Sequence, residues 1–266
     1  MNIKHIIFLV CIFLLFSVSA FAQKVPVIAD LEEVSQLPSK IPQRVTALAY
    51  DGKKLWFAIY LDRGSYVKYD PISKQWDLEQ DSRLRASIPK VTGKWASAAG
   101  MTFVDGKMWL GSAYGESFGW IDTSEPSKYQ VFEKLYKPEL SGTPSYSDLT
   151  YDGTNIWSSW HSANERTDKS KTQLLLKIDK DTGDVLGEYP LPPGYSADMT
   201  HALAWDGQKL WHAKGSKLTS LDRNGVVMGQ FALPNLKRPS GMAWDGDSLW
   251  IVEFEGKLWR IPFKSI

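Results

Sequence analysis

The stretch Ala202–Ala213, ALAWDGQKLWHA, holds an apolar run, an Asp-Gly pair and a second apolar run built around Leu-Trp. Apolar residues on both sides of Asp-Gly describe two strands joined by a tight turn, with Asp-Gly supplying the positive φ angles. The pattern occurs five times, as ALAYDGKKLWFA, GMTFVDGKMWLG, DLTYDGTNIWSS, ALAWDGQKLWHA and GMAWDGDSLWIV. Its aspartates are Asp51, Asp105, Asp152, Asp206 and Asp245, spaced 39 to 54 residues apart. A third strand follows each hairpin (SYVKYD, FGWID, LLLKID, KLTSLD, KLWRIPF), and the first four continue through a polar turn into a fourth.

A four-stranded unit of about 40 to 50 residues, repeated along a chain, is a β-propeller blade. The pattern therefore predicts an all-β, five-bladed β-propeller of four-stranded antiparallel blades over residues 23–266. The fifth copy stops after three strands, at Ile266. The segment KVPVIADL, ahead of the first blade, is predicted to supply the missing outer strand and so close the ring. Trp56, Trp109, Trp157, Trp211 and Trp250 recur at one position and are expected to fill the layers between blades.

Residues 1–22 read as a secretory signal peptide. Lys4 and His5 form a positive start, IIFLVCIFLLF is a short apolar core, and Ala20-Phe21-Ala22 has the small-x-small cleavage pattern. The expected mature chain begins at Gln23, is secreted or periplasmic, and has no membrane attachment after cleavage. Its single cysteine, Cys11, falls inside the signal. The formal charge is +1, and neutral once Lys4 is removed. No basic run appears, which argues against nucleic acid and anionic membrane surfaces as partners. A small molecule or a peptide is the expected partner, and the oligomeric state is not readable.

In a ring of similar units, packing residues recur and site residues do not. At the start of the inner strands, blades one to five carry Ala47, Gly100, Asp148, Ala202 and Gly241. One residue earlier stand Thr46, Ala99, Ser147, His201 and Ser240. Asp148 and His201 are the exceptions. Three residues past the recurring tryptophan are Ile59, Ser112, Trp160, Lys214 and Glu253, the third followed by His161. Arg44 and Arg238 sit slightly further out, in blades the closed ring makes neighbours.

Asp148, His201 and Glu253 are thus candidate acid/base groups, with Arg44, Trp160, His161, Lys214 and Arg238 as candidate ligand contacts at one channel mouth. Structural roles stand beside these. Asp148 could accept backbone N–H bonds at the neck, and Lys214 with Glu253 could form an ion pair between blades. His212 holds the place of Phe57, Leu110, Ser158 and Ile251, a packing position, which separates it from His201. Two long connections, EQDSRLRASIPKVTGKWAS and Ser162–Thr172, are expected to rise near the mouth.

The second blade, GMTFVDGKMWLGSAYGESFGWID, resembles the plant-type glutamine cyclotransferases, five-bladed propellers that convert N-terminal glutamine to pyroglutamate. Gly100, Asp105, Gly106, Tyr114, Gly115, Ser117, Ile121 and Asp122 match that family's motif in order. The resemblance implies the fold and adds Tyr114 as a ligand contact. The family's acid/base glutamate falls on Leu110 here, so the reaction itself is not carried over. No zinc-protease, Cys-x-x-Cys, phosphate-loop or Gly-x-Ser-x-Gly pattern is present, and neither a cofactor nor a metal is expected. The leading expectation is an exported propeller that binds a small molecule or peptide at its mouth. A cyclotransferase-like enzyme and a protein-interaction scaffold are the alternatives.

Overall fold

A computed structural model describes residues 25–28, 30–42, 44–60, 62, 64–93, 97–112, 117–132, 144–162, 174–191 and 201–265. The Asp-Gly pairs do turn the chain, but the aspartate does more than set φ. In blade one, Asp51 Oδ1 accepts the N–H groups of Lys53 and Lys54, both at 2.7 Å, while Oδ2 accepts the Trp56 indole N–H at 2.7 Å. One carboxylate thus caps the turn and anchors the recurring tryptophan. The same anchor joins Asp152 to Trp157 (2.8 Å), Asp206 to Trp211 (2.7 Å) and Asp245 to Trp250 (2.6 Å). In these four turns only the glycine takes a positive φ, between 91° and 100°.

Blade two departs from this arrangement. Asp105 and Gly106 both have positive φ, 51° and 75°, as a two-residue hairpin turn requires. The turn is shorter, Val104 stands where the other blades place the capping aspartate, and Thr102 pairs with Trp109 as Ala49 pairs with Trp56. The Trp109 indole N–H consequently has no acceptor among the described residues.

The strands assemble as five four-stranded antiparallel sheets. Preceding the first blade is β1 (Glu32–Gln36). Blade one comprises β2 (Val45–Tyr50), β3 (Leu55–Ile59), β4 (Tyr66–Asp70) and β5 (Gln75–Asp77). Helix α1 (Ser82–Thr92) leads to blade two, formed by β6 (Ala98–Val104), β7 (Lys107–Ser112), β8 (Phe118–Asp122) and β9 (Tyr129–Phe132). Blade three is β10 (Pro144–Tyr151), β11 (Asn155–Ser162), β12 (Leu174–Asp179) and β13 (Val185–Pro190). Blade four is β14 (Ala202–Trp205), β15 (Leu210–Lys214), β16 (Lys217–Leu221) and β17 (Val227–Ala232). Blade five has β18 (Pro239–Trp244), β19 (Ser248–Glu253) and β20 (Lys257–Pro262), and β1 pairs antiparallel with β20 to complete it.

The ring therefore closes through an N-terminal strand, but not through KVPVIADL. Within that segment Val27 bridges Ala232 at the end of β17, and Ile28 is buried in the apolar layer between blades four and five. The next residues, EEVSQ, form the closing strand, with Glu33 reaching Lys257 at 3.1 Å. Of the apolar run, Ile28 is drawn to the core while Val25 and Val27 stay exposed, and the charged run fits an edge that faces water.

Side chains alternate along each second strand between the two neighbouring blades. The recurring tryptophan faces the next blade, and the residues one before and one after it face the preceding blade. Trp56 packs with Met108, Leu110 and Tyr66 between blades one and two, whereas Phe57 packs with Trp250 and Val252 between blades five and one. Each seam is an aromatic-rich apolar layer that holds its two sheets together. Helix α1, capped by Asp81 accepting the Arg83 N–H at 2.8 Å, buries Leu84, Ile88 and Val91 in the seam between blades one and two. The connection expected to rise over the mouth is, in its described part, a packed helix over the second, third and fourth strands of blade two.

Candidate functional site

The five inner strands approach closely at the neck. A Cβ on Gly100 would lie 2.7 Å from the Asp148 backbone, and one on Gly241 2.3 Å from the Leu48 nitrogen. Tiny residues at these positions are a steric necessity, and Asp148 is the single larger one. Its side chain fills the axis. Oδ1 accepts the Leu149 N–H at 2.9 Å, and Oδ2 accepts those of Leu203 (2.7 Å) and Met242 (3.2 Å). The Met101 N–H is a fourth donor, so blades two to five all bond to one carboxylate. Burial pushes this carboxyl well above the usual carboxylate range, while the N–H groups of Leu203, Leu149, Met242 and Met101 pull it back. On the Asp-Gly side of this plug, all five inner strands line a cavity of about 130 Å³.

Next to the neck, the seam between blades three and four differs from the others. Among the described residues its apolar layer includes Trp157, Leu175, Leu203, Leu210 and Leu221. The remaining space holds polar side chains. Lys214 Nζ lies 3.2 Å from His201 Nε2, and His201 Nδ1 lies 3.0 Å from His212 Nε2. All three are at most 2% exposed. An ammonium only donates, so His201 Nε2 accepts and its Nδ1 carries the proton given to His212. The hydrogen bonds thus run in one direction, from Lys214 at the end of β15 to His212 at its middle. Burial, with the Lys214 charge adding to it, lowers the His212 pKa to about 3, so this ring is neutral at ordinary pH. Ser159, paired with Asp148 across β10 and β11, is also fully buried, and its hydroxyl has no partner among the described residues.

The sequence separates His201 from His212, and the structure couples them. His212 is a buried mid-strand residue, as its alignment with Phe57 and Ile251 implies, yet it is also the acceptor that fixes the His201 ring. The coupling was legible in principle, because His212 and Lys214 are two apart on one strand and share a face.

The other candidates are distributed around the ring. Trp160, Lys214 and Glu253 occupy one position in successive blades, and each points into the seam with its preceding blade. Trp160 is buried in the apolar layer between blades two and three, beside Tyr146 and Phe118. Glu253 lies in the seam between blades four and five. Its Oε1 accepts the Lys237 and Arg238 N–H groups at 2.6 and 3.3 Å, and its Oε2 accepts the Trp259 indole N–H at 3.1 Å. The three do not share a pocket.

Arg44 and Arg238 lie on the surface where blades five and one meet. The Arg238 guanidinium sits 4.5 Å over the Phe254 ring and pairs with Glu255, and Phe254 contacts Tyr60 with ring centroids 5.9 Å apart. The Arg44 carbonyl accepts the Tyr60 N–H at 2.8 Å. Tyr114, most of the segment Ser162–Thr172 and the His161 side chain lie outside the described residues. Leu110, at the place of the cyclotransferase glutamate, is buried between blades one and two.

The fold class is thus a five-bladed β-propeller whose axis is plugged by Asp148 and whose seam between blades three and four holds the buried Lys214–His201–His212 chain. No family model and no curated protein matches the chain. Solved structures do. The glutaminyl cyclase of Myxococcus xanthus matches with a TM-score of 0.53 at 8% identity, over 86% of this chain and 94% of that one. A streptogramin B lyase matches at 0.48 and 15% identity, over 86% and 96%. BamB of Moraxella catarrhalis matches at 0.43 and 14% identity over 86% of this chain, which spans 63% of BamB. At these identities the likeness shows the fold alone.

Proposed function

We propose that this chain is an exported propeller that binds a small molecule or peptide, without chemistry, at the mouth end of the seam between blades three and four. The observation that carries the reading is the buried Lys214–His201–His212 chain. Three buried nitrogen-bearing side chains contribute less to packing than the Phe57- and Ile59-type residues of blade one, and burying an ammonium is costly unless it is well bonded. Such a chain fixes charged and polar side chains beside the neck, and a few fixed polar groups next to apolar surface are what orient a ligand at a site.

The binding reading is favoured over a cyclotransferase by the state of the carboxylates. Asp148 is saturated by backbone N–H groups, Glu253 by two backbone N–H groups and an indole, and Leu110 has no carboxylate to give. A carboxyl group doing general acid/base work needs an oxygen within reach of a substrate proton, and the oxygens of Asp148 and Glu253 are taken up by the protein's own donors.

The test is a thermal-shift screen of the purified chain against dipeptides and small metabolites, with Lys214→Met as control. Binding at this site predicts a rise in Tm that the control lacks, and a rise the control keeps would place the site elsewhere. Incubation with Gln-Gly is expected to release no ammonia, and release above the blank would replace this reading with the cyclotransferase one. Export predicts Gln23 as the first residue of the secreted form, by mass spectrometry.

A further inference from the structure

The inner strands turn their side chains away from the axis. Leu48 and Ala49 enter the seams on either side of blade one, and Leu203 and Ala204 those on either side of blade four. What faces the axis is therefore backbone. In blade one the hairpin takes the polar groups of Ala49, opposite Trp56, and of Asp51, whose N–H bonds the Lys54 carbonyl at 3.1 Å. Those of Leu48 and Tyr50 consequently point to the axis. Asp148 marks the same direction in the other blades, because it accepts the N–H groups of Met101, Leu149, Leu203 and Met242.

A strand residue directs its C=O to the same edge as its N–H, slightly further along the chain. Each inner strand runs toward its Asp-Gly turn, so the carbonyls of Leu48, Met101, Leu149, Leu203 and Met242 ring the axis just beyond the Asp148 carboxylate. Leu48, Met101, Leu149 and Met242 line the cavity of about 130 Å³ on that side. All five residues are at most 2% exposed, and among the described residues these carbonyls have no hydrogen-bond donor. Buried carbonyls are paired as a rule. Asp148 has the complementary need. Its donors are neutral N–H groups, and no cationic side chain among the described residues pairs with it. A buried carboxylate without a countercharge is costly.

We propose that a potassium ion sits on the axis in this carbonyl ring and balances the charge of Asp148. Hard cations take oxygen ligands, and a ring of neutral carbonyls suits a single charge, whereas calcium sites draw on several carboxylates. Between these strands the neck already holds a whole carboxylate group, a width that suits K⁺ better than the smaller Na⁺. Two residues on, the N–H groups of Tyr50, Phe103, Tyr151, Trp205 and Trp244 face the same cavity and can bond the oxygen of a water on the ion. Sequence patterns for metal sites read side chains, and this site offers them none. It lies across the plug from the mouth, and it stands whether or not the function proposed above is correct.

The test is thermal unfolding of the full chain after dialysis into tetramethylammonium chloride, whose cation is too large for the ring. Exchange for KCl at a constant ionic strength of about 0.1 M is expected to raise Tm saturably by about 3 to 6 °C, with Kd on the order of 10 mM. Na⁺, and calcium at about 1 mM, are expected to act more weakly than K⁺. Asp148→Asn removes the charge and keeps an acceptor, and it should raise the Kd for K⁺ about tenfold or more. If that variant fails to fold, crystals of the wild type grown in Rb⁺ supply the second readout, with an anomalous peak expected on the axis against the five carbonyl oxygens. An equal Tm in K⁺ and tetramethylammonium, Na⁺ or calcium acting as strongly as K⁺, an unchanged Kd in folded Asp148→Asn, or an axis without the Rb⁺ peak would each overturn the proposal.

Discussion

Replacing Asp148 by alanine removes the acceptor shared by four blades and leaves the N–H groups of Leu149, Leu203, Met242 and Met101 facing an empty axis. Each buried donor left without an acceptor costs about 1 to 3 kcal/mol. Against this stands the relief of no longer burying a carboxylate, which is worth several kcal/mol. Removal of one partner from buried charged interactions of this kind destabilises by about 3 to 5 kcal/mol, and that is the expected net loss here. For a domain stabilised by about 5 to 15 kcal/mol, the loss is large but compatible with folding. Urea unfolding followed by tryptophan fluorescence measures it, with the midpoint falling by roughly 1 M or more. Asp148→Asn keeps one acceptor oxygen and should lose about half as much. The alanine variant also creates an anion site lined by backbone donors, so chloride or formate should restore about 1.4 kcal/mol at ten times its Kd, and should leave the wild type unaffected. A loss below about 1 kcal/mol, or a variant indifferent to anions, would refute the account of Asp148 as the axial acceptor.

Three further outcomes follow from the geometry. His212 has its pKa lowered to about 3 by burial, so as pH falls below about 6.5 the unfolded chain takes up a proton that the folded chain refuses. Stability is therefore lost on acidification, and wild type minus His212→Leu should fall by about 2 kcal/mol from about pH 7.5 to about pH 5, with Asp148 cancelling in the difference; a flat difference would contradict a neutral buried His212. Asp152→Ala strips an indole and two turn N–H groups of their acceptor and should cost about 2 to 4 kcal/mol in urea unfolding, whereas Asp105→Gly should cost less than about 0.5 kcal/mol. Gly241→Ala drives a Cβ to 2.3 Å from the Leu48 nitrogen, a backbone atom that cannot step aside, and should lower stability by at least about 2 kcal/mol in the same assay.

Blade number, strand order within a blade and the tryptophan layers are legible in the sequence because Asp-Gly and Leu-Trp recur together. The dual role of the aspartate was legible too. Asp51 and Trp56 are five residues apart, as are the pairs in blades three, four and five, while Asp105 and Trp109 are only four apart. That difference alone signals a changed turn and an orphaned indole. The closing strand was misplaced because KVPVIADL has more strand-like residues than EEVSQ, and tertiary burial of Ile28 decided the matter.

For the candidate site, the exceptions in the alignment, Asp148 and His201, do fall beside one another at the neck and its neighbouring seam. Trp160 and Glu253 do not join them. Reading the end of every second strand as channel-facing overlooked the alternation that turns this position toward the preceding blade. Nor does sequence show that Asp148 and Glu253 would spend their oxygens on N–H groups, since most of those donors come from other strands and connections.

The pairing of β1 with β20 has a consequence for how the ring is made. The first strand to emerge during synthesis has its partner among the last, so it stays unpaired while almost the whole chain is completed. Four blades can gather from hairpins that are local in sequence, but the fifth requires closing the longest loop the chain can form. That step raises the contact order and should make ring closure the slow event of folding. If the chain is threaded across a membrane end first, as an exported protein is, no complete propeller can exist before its C-terminus has crossed.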